Sequence, residues 1–127
     1  MKILVLDTNT LLRFLLNDIP EQAKKVEETL ELSENGKIKI IIPQIVIFEI
    51  VYALIKQYQF KNEEVAEGLR KIIINKFLQV QDKDIFEEAL KKYSGKLSLA
   101  DCFIYFFAKK MEAELFTFDK NLQKALK

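Results

Sequence analysis

Histidine is absent from this 127-residue chain. With it goes the side chain that most often serves as a general base or as a nitrogen ligand to zinc near neutral pH. Cysteine occurs once, at Cys102, which excludes an intrachain disulfide and a cysteine-built metal site. Its neighbour Phe103 makes a buried, inert thiol the expected reading. Arginine occurs only at Arg13 and Arg70, so few guanidinium groups are at hand to neutralise acids. Three glycines and two prolines leave no linker, low-complexity segment or repeat. No apolar run reaches the length of a membrane span, and the N-terminus lacks the basic, apolar, small-residue order of a signal peptide. The expectation is a cytoplasmic protein with no membrane partner.

What is present fits one globular domain over residues 1–127: half the residues are apolar and 31% are charged. The formal net charge of +1 neither identifies nor excludes a nucleic-acid binder, because local patches outweigh the sum. Lysines cluster at Lys91, Lys92 and Lys96, at Lys109 and Lys110, and at Lys120, Lys124 and Lys127. Taken singly, each cluster reads as a solvated helix face.

Strand and helix patterns alternate along the chain. Residues 2–6 are a short apolar run and read as a buried strand. Helices are predicted over 10–17 and 21–33, the second opened by Pro20, carrying Ala23, Val26 and Leu30 on one face, and ended by Asn35-Gly36. The β-branched run 38–42 predicts a second strand. Pro43 opens a helix to about residue 58, and Asn62 caps another with Val65, Ala66, Leu69, Ile72 and Ile73 inward. Residues 77–80 predict a third strand. Asp84 and Glu87 have capping-box spacing for a helix that turns Ile85, Phe86, Ala89, Leu90 and Tyr93 inward. Ser98 caps a helix over 99–111, residues 114–118 predict a fourth strand, and 120–126 a terminal helix. This order implies an α/β fold, a three-layer α/β/α sandwich around a parallel sheet with right-handed crossovers. Ligands in such folds bind beyond the carboxyl ends of the strands.

Four acids stand alone in apolar stretches. Asp7 follows Ile3–Leu6, Glu49 lies between Phe48 and Ile50, Asp101 is followed by Cys102-Phe103-Ile104, and Asp119 follows Leu115–Phe118. An ionised carboxylate in apolar surroundings is costly unless compensated. Asp7 and Asp119 also suit helix caps, and Asp101 stands three residues after Ser98, at capping-box spacing. Glu49 falls mid-helix, where no amide needs a cap. Two of the four acids end predicted strands on one sheet edge, which makes the set a candidate site for a hard, oxygen-liking cation such as Mg²⁺ or Mn²⁺. Crowding of the four should raise at least one pKa in the absence of metal.

The motifs Asp7-Thr8-Asn9, the isolated Glu49, Leu97-Ser98-Leu99-Ala100-Asp101 and Thr117-Phe118-Asp119-Lys120 together resemble the PIN-domain family, and within it the VapC-type toxins of type II toxin–antitoxin modules. The resemblance covers essentially the whole chain. It implies a sheet of four strands in the order 3-2-1-4, with a fifth vestigial or missing because the chain stops at Lys127. It also implies a Mg²⁺- or Mn²⁺-dependent endoribonuclease acting on an RNA substrate, a small cognate antitoxin as partner, and a homodimer. Its acidic positions carry over to Asp7, Glu49, Asp101 and Asp119 as catalytic residues and metal ligands, and its supporting polar positions to Thr8, Asn9 and Thr117.

Other readings are a PIN-like binding module that no longer cleaves RNA and an RNA-processing nuclease that is not a toxin. A haloacid-dehalogenase-like phosphatase wants a second Asp two residues after the first, where this chain has Asn9. A response-regulator receiver wants paired acids that are missing. The apolar residues of Ile45–Tyr52 and Phe103–Phe107 wrap too far round their helices for one buried face, and this predicts a dimer interface or an antitoxin groove.

Overall fold

A computed structural model describes residues 1–125. Three parallel strands form the sheet: β1 (Lys2–Val5), β2 (Ile38–Ile42) and β3 (Leu78–Val80), in the order β1-β2-β3. Leu4 pairs with Ile40, and Ile40 with Leu78, so side chains of matching parity share a face. One face carries Ile38, Ile40, Ile42, Leu78 and Val80, all buried in the core. The other carries Ile3 and Val5, which are 57% and 64% exposed, together with exposed Lys39 and Gln79. Helices therefore do not enclose the sheet from both sides at these positions, as a complete three-layer sandwich would require. β1, read as a buried strand, is an edge strand.

The fourth predicted strand is not formed. Residues 114–118 join no ladder, and Phe116 and Phe118 are 83% and 87% exposed with their rings packed edge to face on each other. Thr117 is engaged locally instead: its hydroxyl accepts from the Asp119 amide (3.0 Å) and its carbonyl from Gln123 Nε2 (2.9 Å). Alternating Phe-Thr-Phe gives a segment strand propensity, but a strand exists only when an edge pairs with it. The expected order 3-2-1-4 thus reduces to 3-2-1 among the described residues, with no fourth or fifth strand.

Among the described residues seven α-helices connect and cover the sheet: α1 (Thr8–Leu16), α2 (Pro20–Glu34), α3 (Gln44–Tyr52), α4 (Asn62–Ile73), α5 (Lys83–Lys92), α6 (Leu99–Lys110) and α7 (Lys120–Ala125). Residue 126 of the predicted terminal helix lies outside the described residues. Pro20 occupies the first turn of α2, where its missing N–H costs nothing. At the other end of α2 Gly36 takes φ +74°, and Lys37 N donates to Leu32 O at 2.9 Å. The apolar stripe of α4 is buried as its spacing predicts, from Val65 to Ile73. No helix among the described residues is long and apolar enough to cross a membrane.

Two predicted caps are replaced by tertiary contacts. Asn62 begins α4, but its Oδ1 accepts from the Tyr93 hydroxyl at 2.8 Å, and Glu64 reaches back to the Lys61 amide. Asp84 lies inside α5, which starts after Asp82, and its carboxylate pairs with Lys110 Nζ at 2.8 Å. Cys102 is buried, and burial pushes its thiol up to about 11, in keeping with an inert group.

The predicted helix over 43–58 forms as one run, Gln44 to Gln57, that changes pitch near its end. α3 continues without a break into a π-helical turn, Ala53–Gln57, in which Tyr58 N donates to Ala53 O at 3.1 Å, five residues back.

Candidate metal-binding cleft

Leu6 extends the β1–β2 ladder by one bond, Leu6 N to Ile41 O (3.1 Å), and is buried. The chain then leaves the sheet at Asp7, which holds extended dihedrals and caps α1, its Oδ1 accepting from the Thr10 amide at 2.9 Å. Leu11 and Leu12 are buried and anchor the helix that this cap begins. On α3, Val46, Ile47 and Ile50 face the core, so Ile45, Glu49 and Tyr52 fall on the outward stripe. The two segments meet through one hydrogen bond: Thr8 Oγ1 donates to Glu49 Oε1 at 2.6 Å.

Around that bond lies an open cleft of about 530 Å³. Asp7, Thr8, Asn9 and Glu49 supply its oxygens, and Phe48 and Tyr52 supply apolar wall. Asp7 and Glu49 are exposed, as is Asp119, and Asp101 is half-buried. The apolar sequence around these acids therefore does not bury them: chain neighbours on a helix point elsewhere, and the carboxylates turn to water. The ion pairs among the described residues involve other acids, Asp18, Glu88 and Asp84. The expected upward shift from crowding is reversed at Asp7. There the Thr10 amide holds the carboxyl below its ordinary value of 3.8.

Asp101 and Asp119 do not line this cleft. Asp101 sits in the first turn of α6, its amide donating to the Ser98 hydroxyl at 3.1 Å, so Ser98 is the cap as predicted. Ser98, Leu99 and Ala100 line a neighbouring apolar groove that shares Phe48 and Tyr52 with the cleft, so the start of α6 lies across that wall. Asp119 caps α7 through Leu122 N at 3.0 Å, with Thr117 beside it. Residues 114–118 join no ladder, so Asp119 does not end a strand of the sheet. Among the described residues no three Asp, Glu or Cys side chains converge on one point.

The oxygen donors lining the cleft include two carboxylates, the Thr8 hydroxyl and the Asn9 amide. Mg²⁺ is commonly held by one or two carboxylates, the rest of its octahedron coming from water and substrate phosphate. Asp7 and Glu49, with Thr8 and Asn9 beside them, fit that demand. Sequence reasoning missed Tyr52 and Gln57, which also line the cleft. Gln57 reaches it through the π-helical turn, for which the sequence carries no visible signal.

Several lysines singled out above have structural roles. Lys91 pairs with Glu88 and Lys110 with Asp84, while Lys92 and Lys109 lie over the Tyr105 ring. Lys127 is outside the described residues.

The model of the PIN domain matches residues 4–126. A VapC ribonuclease of Aquifex aeolicus (strain VF5) is 33% identical over 123 residues, covering 94% of this chain and 90% of that protein. No solved structure matches the chain significantly. With the family model spanning almost its full length, and the Asp-Thr-Asn turn and Glu49 meeting in one cleft, the chain belongs to the PIN-domain family.

Proposed function

We propose that this protein is a Mg²⁺- or Mn²⁺-dependent endoribonuclease, the toxin of a toxin–antitoxin pair, acting in the cytoplasm. The observation that carries the reading is the cleft in which Asp7 and Glu49, 42 positions apart, are drawn together by the Thr8–Glu49 hydrogen bond. The likeness to a VapC ribonuclease supports the choice of RNA as substrate.

The reaction is in-line hydrolysis of an RNA phosphodiester. Asp7 and Glu49 hold the cation, and Asp101 and Asp119 are proposed, from family membership, to serve the same site. A bound divalent cation offsets charge on the phosphoryl group and lowers the pKa of water. Thr8 fixes the Glu49 rotamer by donating to Oε1, which leaves the other carboxylate oxygen free. Asn9 presents an amide to the same space, and Thr117 orients Asp119 by accepting its amide proton.

A second reading, an inactive PIN-like binding module, is favoured by one observation: Asp101 and Asp119 lie outside the cleft. Incubating pure protein with RNA in Mg²⁺, Mn²⁺ or EDTA separates the two. Metal-dependent fragments are expected, with Asp101→Asn and Asp119→Asn each at least about 100-fold slower, some 2.7 kcal/mol of lost transition-state stabilisation. Asn caps helices as well as Asp does, so Asp119→Asn keeps the fold while removing the charge. Cleavage that persists in EDTA removes the metal assignment, and no cleavage under any condition favours the inactive module.

Apolar surface supports the partner assignments. A groove of about 320 Å³ between α1, the π-helical turn and α4 is lined by Leu15, Leu16, Leu54 and Phe60, and suits an apolar antitoxin segment. On α6, Phe103 and Tyr105 are buried within the monomer, whereas Ile104, Phe107 and Met111 form an exposed stripe at helical spacing. That stripe is the proposed contact of a homodimer. Light scattering on eluted protein should give twice the 14.9 kDa chain mass. A single-chain mass at micromolar concentration removes the dimer.

A further inference from the structure

The π-helical turn changes which side chain stands over Glu49. In an unbroken α-helix the residue two turns beyond Glu49 is Lys56, seven positions on and within about 20° of the same direction. The π-helical turn holds one extra residue, closed by Tyr58 N to Ala53 O (3.1 Å) and followed by Phe60 N to Leu54 O (2.9 Å). The position two turns on therefore passes to Gln57. The surroundings agree: Gln57 lines the cleft with Glu49, Tyr52 and Ala53, while Lys56 lines the neighbouring groove with Ser98, Leu99 and Ala100.

The exchange matters chemically. A lysine over Glu49 would place an ammonium group near the cleft's carboxylates and compete with a cation for them. Glutamine is neutral and offers one acceptor and two donors on a planar amide, the set that can pair with the edge of a nucleobase. Between Glu49 and Gln57 stands Tyr52, on the outward stripe of α3 and 63% exposed. An exposed ring beside a phosphate-hydrolysing site is a surface on which an unstacked base can lie.

We infer that Tyr52 and Gln57 form a nucleobase subsite, Tyr52 stacking on the base beside the cleaved bond of single-stranded RNA and Gln57 reading its edge. That the bond beside it is cleaved rests on the ribonuclease reading above; that the base is bound does not.

Binding tested apart from cleavage keeps the two distinct. In an Asp7→Asn background, fluorescence anisotropy with labelled octamers of adenylate, cytidylate and uridylate measures base preference. One base should be favoured by about tenfold, as a bidentate contact gives. Adding Gln57→Ala should cut that preference below about threefold, and adding Tyr52→Ala should weaken all three octamers by roughly tenfold, the loss of one stacked base. Lys56→Ala should leave the preference unchanged. Gln57 is exposed, so its variant is expected to melt with its parent. A preference that survives Gln57→Ala, a preference lost in Lys56→Ala, or no binding of any octamer overturns the subsite. If wild type cleaves RNA while Gln57→Ala keeps the preference, the subsite falls and the ribonuclease reading stands. A Gln57-dependent preference in a protein that cleaves nothing gives the reverse.

Discussion

Asp7→Asn is expected to lower metal-dependent RNA cleavage by about 10³-fold or more while leaving the melting temperature nearly unchanged. The two halves of the prediction have separate causes. Asn is as good an N-cap as Asp, so the Thr10 amide that Asp7 Oδ1 accepts at 2.9 Å keeps a partner and α1 keeps its first turn. The charge is what disappears, and with it one of the two carboxylates that share the cleft. A carboxylate-held cation is worth several kcal/mol to a phosphoryl transition state, and each 1.36 kcal/mol is tenfold in rate. The pH profile carries the same signature. The Thr10 amide makes Asp7 a stronger acid in the folded protein than in the unfolded chain. Its contribution to stability is therefore complete above the unfolded value of 3.8 and is lost as pH falls through the lower folded value. Between about pH 5 and 8 this group stays ionised, and no titration of Asp7 should appear in the cleavage rate there. Single-turnover rates on one RNA across that range test both points. An Asp7→Asn rate equal to wild type would remove the carboxylate assignment.

The largest stability effect belongs to Phe86→Ala. Phe86 on α5 is fully buried, and its ring meets Phe48 of α3 at 5.3 Å and Phe103 of α6 at 4.9 Å, with Phe48 and Phe103 themselves 5.2 Å apart. This triangle ties three helices together, and removing one corner leaves a cavity that rigid neighbours fill only in part. The expected cost is about 3–5 kcal/mol. Against a total stability of roughly 5–15 kcal/mol for a domain, that is a large share. For a chain of this length it corresponds to a melting point lower by roughly 10–20 °C. Phe48 also lines the cleft and precedes Glu49, so the variant should loosen the site as well as the core. Phe116→Ala is the matched control: the same residue type, but 83% exposed, should shift the melt far less. Thermal denaturation of the two variants side by side decides it, and a Phe86→Ala melt within 3 °C of wild type would count against the triangle as a central support, on the scale given above.

Some of this was legible because it is local. β2 forms at the limits its β-branched run predicts, and Pro20, Gly36 and Ser98 mark helix ends by rules that need only neighbouring residues. The buried stripe of α4 follows from its spacing alone. Asp7 and Asp119 perform the capping roles that their positions suggested. Of the candidate site, the Asp-Thr-Asn turn and Glu49 meet in one cleft, while Asp101 and Asp119 lie outside it.

What tertiary structure decided is what depends on a distant partner. Residues 114–118 have the alternation of a strand but no ladder, so β1 is an exposed edge, and Asp119 does not line the cleft that holds Asp7. Asn62 and Asp84 were drawn from capping roles by Tyr93 and Lys110, 31 and 26 positions away. The register of the helix after Glu49 turned on a single extra residue, which handed the cleft wall from Lys56 to Gln57. By itself the sequence determined element type, caps and the apolar stripes of helices such as α4, because propensity, capping and periodicity act within a few residues. Sheet membership, the exposure of the carboxylates and the company each one keeps were settled only in the folded chain, because pairing and burial are properties of two surfaces meeting.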